Sequence, residues 1–391
     1  MNVHIYTAEG VTPEVNETVV VTSESPQHVS LPPELGLTDT GFANTLVVSS
    51  NGGLSVQVTT RGSCASYLNL PVNNLRTEYY AATWHSGEGE HAYIAITGIK
   101  DNTQVTFAFP QNKGISVLVR GEMYDENHPL HITVNEYETF QVISSTDLTS
   151  THILSSSPVA VFSGNIKAVV GDNWSDVKDD LRIQLPPVDA WGRKFAIVPP
   201  PNDHHGGYVK VIARDDRTTV FVNGEIHSVL AKGGDSLLLE LAAQATYGIL
   251  SEKQLMVVYF TLSDGEEVAR VMPSALMVPS LEQYLGRYTF STSTDSSAFD
   301  NYLILVSASH HLSSLRVDGE EPQVRDWVEV PGLGMDLLGA VVQITPGFHT
   351  VHHMEDQTFG AFVSGTAEGD CTYAFPAGMN LRNLKVIFVF T

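Results

Sequence analysis

An apolar strand followed by a proline recurs four times along this chain, and the repeat limits the folds that the chain can adopt. The prolines are Pro71, Pro186, Pro279 and Pro376, at spacings of 115, 93 and 97 residues. An aromatic residue follows each of the first three prolines by eight or nine positions. Self-similarity at a roughly fixed period indicates a row of related structural units.

The sequence between the prolines predicts β-strands almost throughout. Short runs rich in Val, Thr, Ile, Tyr and Phe are broken by Gly, Asn, Asp, Ser and Pro, and the best helix candidate, 280–286, is at most two turns long. A unit of about 95 residues has the size of a β-sandwich, whereas a propeller blade needs only about 40–45 residues. We therefore predict an all-β protein of about four tandem, antiparallel, sandwich-like units, with a β-propeller-like arrangement as the alternative.

The repeat also predicts where the units meet. We expect neighbouring units to share strands, because no linker richer than a few Pro or Gly residues separates them. The predicted units are 1–91, 92–200, 201–296 and 297–391, the last with a C-terminal strand or tail.

The net charge of the chain disfavours some classes of binding partner. Asp and Glu number 44 and Lys and Arg number 21, so the formal net charge is 21 − 44 = −23. Such an acidic chain is a poor partner for nucleic acid or anionic membranes. No run approaches the roughly 20 apolar residues of a membrane helix, so we expect no membrane insertion. The N-terminus lacks signal-peptide features, which indicates an intracellular chain or the mature or truncated form of a secreted one.

Several segments, in order, resemble a known family. They are YLNLPVNNLRTEYY, YIAITGIKDNTQVTF, SSSPVAVFSGN, LPP followed by WGRKF, and YVKVIARDDRTTVFVNG. Their order and spacing resemble the N-terminal domain of the IgGFc-binding proteins, over about 45–381. The cysteine-rich von Willebrand D-type repeats of the full-length mammalian proteins are not present in this sequence.

The resemblance implies a secreted or cell-surface module, tied to mucus, matrix or host defence and to adhesion. It implies a non-catalytic role in binding a protein or glycoprotein, such as an immunoglobulin-like protein (IgG Fc in the mammalian relatives) or a mucin. A glycan-binding module and a hydrolase with a site between units are the alternatives. No G-x-S-x-G, H-E-x-x-H or papain-like cysteine context is present, so we predict that the chain is not an enzyme.

The second unit carries an insert before its closing strand, over 165–180. The gap from apolar strand to proline is 27 residues there and 17 in the first and last units. Its acidic loop could gather oxygen ligands around Ca²⁺, but it does not match an EF-hand, and a solvated acidic loop is the simpler interpretation. We predict no metal site and no cofactor. The candidate contact residues, including a histidine pair in a later loop, are Asn165, Asp172, Trp174, Asp176, Asp179, Asp180, His204 and His205.

Two further patterns concern covalent modification. N-glycosylation sequons begin at Asn16 and Asn173. The two cysteines, Cys64 and Cys371, precede the first and last closing prolines by seven and five residues. A disulfide between them would tie the two ends of the row into a closed or strongly curved shape, and two separate thiols are the alternative.

Overall fold

The structure is a computed structural model that describes most of the chain. The described residues are 1–8, 11–22, 26–36, 39–60, 63, 65–85, 90–171, 177–201, 206–263, 272–292, 299–367, 372–381 and 387–390. They form β-strands joined by turns and by five short 3-10 helices, one of them (281–283) within the predicted helix. The prediction of an all-β fold built from antiparallel, sandwich-like repeats is confirmed.

The first unit contains a four-stranded sheet and a separate hairpin. In the sheet the order is β2-β1-β4-β31, so that a strand from the C-terminal end of the chain pairs with β4. The hairpin β5–β6 contributes the first closing strand. The elements are β1 (Asn2–Thr7), β2 (Asn16–Val20), η1 (Pro33–Leu35), β3 (Gly41–Asn44), β4 (Leu46–Ser50), β5 (Gln57–Thr59), β6 (Ser66–Leu68), η2 (Val72–Asn74) and, at the other end, β31 (Ile387–Phe390).

The second unit is organised around one long strand, β14. Its first part pairs with β7 and β9, and its second part pairs with β8 and β15, with a register shift between Leu154 and Val159. The strand therefore turns the corner between the two layers of a sandwich. The elements are β7 (Arg76–Tyr80), β8 (His91–Gly98), β9 (Thr103–Ala108), β10 (Ser116–Val119), β11 (Glu122–Asp125), β12 (Leu130–Val134), β13 (Glu138–Ser144), β14 (His152–Ala168) and β15 (Asp179–Gln184).

The third unit repeats this plan with β21 as the long strand. Residues 247–250 of β21 pair with β16, and residues 255–261 pair with β17. Its buried face joins the second large core, which includes Val209, Val257 and Tyr259. The elements are η3 (Val188–Ala190), β16 (Gly192–Ile197), β17 (Gly207–Ala213), β18 (Thr218–Val222), β19 (Glu225–Leu230), β20 (Ser236–Leu241), β21 (Tyr247–Thr261) and β22 (Ala275–Met277).

The fourth unit divides the equivalent of the long strand into two. Strand β28 lies in a three-stranded sheet, β23-β28-β25, and β29 lies in a five-stranded sheet, β26-β27-β24-β29-β30. The elements are η4 (Leu281–Gln283), β23 (Arg287–Ser291), β24 (Phe299–Ala308), η5 (Ser309–Ser314), β25 (Leu315–Val317), β26 (Val328–Glu329), β27 (Leu337–Ile344), β28 (Phe348–His353), β29 (Gly360–Ala367) and β30 (Thr372–Pro376).

The prolines and aromatics of the repeat fix one recurring corner. After each of the first three prolines the chain makes one 3-10 turn (η2, η3, η4) and enters a strand that pairs with the next unit. The Tyr79 hydroxyl donates to the carbonyl of Val159 at 2.7 Å and accepts from the amide of Arg76 at 2.9 Å. The Tyr288 hydroxyl likewise donates to the carbonyl of Phe359 and accepts from Leu285. These bonds tie the strand of one corner to the long strand of the next sandwich.

The four closing strands arrange the units in a closed ring. Strand β6 packs against β15, β15 against β22, β22 against β30, and β30 against β6 again. A small cavity of about 10 Å³, roughly the space of one water, lies between them and is lined by all four strands, for example by Ser66, Gln184, Met277 and Phe375. The amide of Leu70 donates to the side chain of Gln184 at 2.6 Å, a direct link between the first two units.

The predicted unit boundaries remain a proposal. The strand before each boundary (β7, β16 or β23), described above with the unit in which it pairs, hydrogen-bonds to strands of the following unit. Division after each closing proline instead of at 91, 200 and 296 would keep these three strands with their sheets, although β3 of the first unit would still pair with β13 of the second.

Candidate functional site

One face of the ring collects the loops that precede the closing strands. In the second unit Ile166 pairs with His91 and Ala168 with Asp179, so the chain enters β8 and β15 at the same end. The third unit has the same arrangement, with Gly207 opposite Thr261. In the fourth unit Phe299 lies opposite Ala367 and Thr372 opposite Thr366. We call this end of the ring, defined by the described strand ends, the loop face. The segments of the sequence that connect these strand ends are 60–65, 86–90, 169–178, 202–206, 262–274, 292–298 and 368–371.

The loops of the second and third units are joined by direct hydrogen bonds. The amide of Val170 donates to the Ser263 hydroxyl at 3.0 Å, and the amide of Ser263 donates to the Val170 carbonyl at 2.9 Å. These reciprocal bonds place the two loops side by side at the unit boundary. The described start of the insert, at Val170, therefore borders the third unit.

Three predicted contact residues lie where the insert leaves and rejoins the sheet. Asn165 is fully buried, and its side-chain amide accepts from the Trp84 amide at 2.6 Å and donates to the Trp84 carbonyl at 2.8 Å. Asp179 is buried and accepts from the amide of Asp180. Asp180 accepts from the amide of Lys167 at 3.2 Å and lies 3.5 Å from the Arg182 guanidinium. These side chains hold the base of the insert in place.

The other predicted contact residues lie outside the described residues. These are Asp172, Trp174 and Asp176 in the insert and the pair His204–His205, together with the second sequon at Asn173 and both cysteines, Cys64 and Cys371. The described residues that flank them in the sequence are Gly171 and Val177 in one case and Pro201 and Gly206 in the other. Asn16, the other sequon, is exposed on β2.

A buried lysine fastens the third unit to the second beneath this face. The Lys210 ammonium donates to the Thr83 carbonyl at 2.6 Å, to Asp147 Oδ2 at 2.6 Å and to the Thr149 hydroxyl at 2.9 Å. It also lies 5.2 Å from the centre of the Trp84 ring, at cation–π distance. Three acceptors and one aromatic face replace the water that burial removes.

The charges of this pair are linked. Burial acts to raise the pKa of Asp147, but the charge of Lys210 and hydrogen bonds from Lys210, Thr149 and Thr83 outweigh it, so the pKa lies below its ordinary value. Burial lowers the pKa of Lys210, and Asp147 offsets only part of that effect. The carboxylate is thus committed to holding two units together.

Sequence reasoning missed this lysine. A signal was present: Lys210 lies between two valines in the apolar run YVKVIA, where a strand buried on both faces has no place for an unpaired charge. Trp191 is buried, and its indole nitrogen donates to the Pro186 carbonyl at 3.1 Å.

Metal-binding side chains do not converge in the described part of the chain, where no group of three His, Cys, Asp or Glu residues could hold an ion. His353 is buried, and its Nδ1 accepts from the amides of Glu355 and Gln357. No helix within the described ranges is long and apolar enough to cross a membrane.

Comparison with known proteins identifies the family. Residues 65–365 match the profile of the family described as IgGFc binding protein. The chain belongs to this family. A human relative, IgGFc-binding protein, is 24% identical over 298 residues, which is 74% of this chain and 5% of that protein. The chain therefore spans a small part of the relative's length, and it is a member of a binding-protein family.

Solved structures give only remote likenesses. A Pleurotus ostreatus lectin in its apo form is 12% identical, with 47% of this chain and 74% of the lectin covered at a TM-score of 0.16. A GH2 beta-galacturonidase from Eisenbergiella tayi is 10% identical, with 74% of this chain and 43% of the enzyme covered at a TM-score of 0.10. Neither likeness bears on function.

Proposed function

We propose that this IgGFc-binding family member is a non-catalytic extracellular binding module that recognises a protein or glycoprotein through its loop face. The observation that carries the proposal is that strand ends of the second and third units meet at one end of the closed ring, joined by the hydrogen bonds between Val170 and Ser263. Loops held by a rigid scaffold are the usual location of binding residues. The buried Lys210–Asp147 pair and the base of the insert, at Asn165, supply that rigidity.

The charge of the loop face suits a partner with basic groups. Its seven segments contain 11 acidic and 3 basic residues, a balance of 3 − 11 = −8. Complementary potentials speed encounter and disfavour wrong partners. The name of the human relative makes immunoglobulin Fc the first partner to test, and mucin glycoproteins, in a mucus or adhesion setting, are the second.

The test measures binding of the chain to immobilised immunoglobulin Fc and to purified mucin. Trp174→Ala removes an aromatic of the type that dominates binding hot spots, so we expect affinity to fall about tenfold or more. Asp172→Asn with Asp176→Asn should slow association. The matched control, Glu225→Gln with Glu240→Gln, removes two exposed acids from edge strands of the third unit and should leave binding unchanged.

Two outcomes would overturn the proposal. One is failure of the chain to bind Fc, mucin and every other secreted glycoprotein tested. The other is equal loss of binding in the loop variants and in the control, because general charge and not the loop face would then explain attraction.

We further propose that the chain carries the modifications of a secreted protein. Glycans at Asn16 and Asn173 and a Cys64–Cys371 disulfide would fit an oxidising, extracellular location. The strands that follow the two cysteines, β6 and β30, pack against each other where the ring closes. Peptide mapping without reduction, on protein from a secretory host, should find the linked peptides; two freely alkylated thiols would exclude the disulfide.

A further inference from the structure

Two arginines and a histidine form a row across the three-stranded sheet of the fourth unit. In the sheet β23-β28-β25, Arg287 lies opposite His352 and His352 lies opposite Arg316. Directly opposed residues of antiparallel strands share a face, so the three side chains stand in one line, with the outer strands about 10 Å apart. The other face of the sheet, with Tyr288 and Val351, is buried in the core.

The three members of the row differ in exposure: Arg287 is exposed, whereas His352 and Arg316 are partly buried. The Arg287 guanidinium makes no hydrogen bond or ion pair within the described part of the chain. The Arg316 side chain is 19% exposed; it donates to the carbonyls of Ser313 and Leu315, and its other nitrogen lies 3.7 Å from Glu321. Arg287 is therefore the arginine of the row with the least compensated charge.

Asp318, the residue that follows β25, makes two contacts with β28. Asp318 accepts the amide of Thr350 at 2.8 Å and lies 2.7 Å from Nδ1 of His349. Its carboxylate is thus held at the strand end, beside the next rung of the ladder. Arg287 therefore keeps its charge available on a protein whose net charge is −23.

Hydroxyls and an aromatic ring continue the same face. Thr289 lies opposite Thr350 on the rung next to the row, and Ser291 lies opposite Phe348 on the rung after it. All four side chains are exposed or half-buried. Guanidinium groups hold oxyanions bidentately, whereas hydroxyls and ring faces suit the hydroxyls and C–H faces of a sugar.

We propose that this row, Arg287–His352–Arg316, binds an acidic sugar, that is, a glycan unit that carries a carboxylate or a sulfate ester. The exposed, unpaired guanidinium of Arg287 would take the oxyanion, and the half-buried His352 beside it offers ring nitrogens as further hydrogen-bonding groups. The acidic remainder of the protein repels long polyanions, while screening over about 8 Å at physiological salt leaves the local field of the row intact. The site extends the proposed function to a second surface and does not depend on the loop face.

The experiment measures binding of the full chain to surfaces that display sialyllactose, sulfated lactose or lactose. We expect binding to either acidic sugar, weaker at high salt, and none to lactose. Arg287→Ala should reduce binding about tenfold, and Arg287→Glu should abolish it. The matched control is Arg325→Ala, since Arg325 is an almost fully exposed arginine of the same unit and lies off this sheet.

Each outcome decides the proposal. Preference for one acidic sugar over the other identifies the source of the anion. Equal loss in Arg287→Ala and Arg325→Ala, equal binding of lactose, or equal binding of a short poly-glutamate peptide would overturn it. Fc or mucin binding that survives Arg287→Ala leaves the loop-face proposal standing, and loss of loop-face binding alone leaves the sugar site standing.

Discussion

Replacement of Lys210 by methionine tests how the units are held together. The change keeps the apolar stem and removes only the ammonium, which is bonded to Thr83, Asp147 and Thr149. Breaking a buried ion pair costs about 3–5 kcal/mol, because one charge is left without its partner. The Asp147 side chain is 29% exposed and water can reach it, so we expect a loss of about 3 kcal/mol in the free energy of unfolding.

Urea denaturation followed by tryptophan fluorescence measures this loss, because Trp84 lies against Lys210. Lys232→Met is the matched control: Lys232 is exposed, and the same replacement there should change stability by less than about 0.5 kcal/mol. The double variant Lys210→Met with Asp147→Asn should lose less than the sum of the single variants.

The sign of the pH dependence follows from Asp147. Its pKa is lower in the folded than in the unfolded protein, so its stabilising contribution is complete above the unfolded value of about 4. The contribution is lost as pH falls through the folded pKa. The gap between wild type and Lys210→Met should therefore narrow below about pH 4. The reasoning would be refuted if Lys210→Met lowered the free energy of unfolding by less than about 1 kcal/mol at pH 7, or if the difference from wild type did not change with pH.

Two further predictions concern the repeat. Tyr79→Phe and Tyr288→Phe should each lower the free energy of unfolding, measured with urea, by about 1–3 kcal/mol, because each removes the hydroxyl that bonds a carbonyl and an amide at the corner. The control is Tyr247→Phe: the Tyr247 hydroxyl accepts from an exposed amide, so its removal should lower the free energy of unfolding by less than about 0.5 kcal/mol. Gly164→Ala should lower the free energy of unfolding in the same assay by about 3 kcal/mol or more, because the new Cβ would lie 1.7 Å from the Leu181 carbonyl oxygen. The control is Gly53→Ala, which should leave stability nearly unchanged, because a Cβ at Gly53 has no atom within 4 Å. In each case, an equal loss of stability in the variant and in its control would contradict the prediction.

Local chemistry made much of the fold predictable. The alternating Val- and Thr-rich runs give the strands, and the prolines with Tyr79 and Tyr288 mark the corners, because proline stops one strand and the tyrosine hydroxyl ties down the next. The family was also recognisable from the order of the segments. The packing of β30 against β6 was foreseen only through the cysteines, since no short-range pattern encodes a contact between the two ends of a chain.

The site was less predictable. Asparagine is a residue type typical of exposed loops, yet the side-chain amide of Asn165 is buried and bonds the backbone of Trp84. The Arg287–His352–Arg316 row could not be found from sequence, because its members come from three strands and meet only through the register of the sheet. Periodicity identifies a buried face, but it does not say which strands are neighbours.

The closed circuit of β6, β15, β22 and β30 has a consequence for how this architecture can change. An open row of repeats can gain or lose members, provided that its first and last members have polar outer faces. A ring of four has no first or last member, and every unit has two neighbours. Insertion of a fifth unit would require a wider ring, and removal of one unit would expose the packing surfaces of both its neighbours. Variation is therefore directed into the segments between strands, whose lengths can differ while the number of units stays fixed.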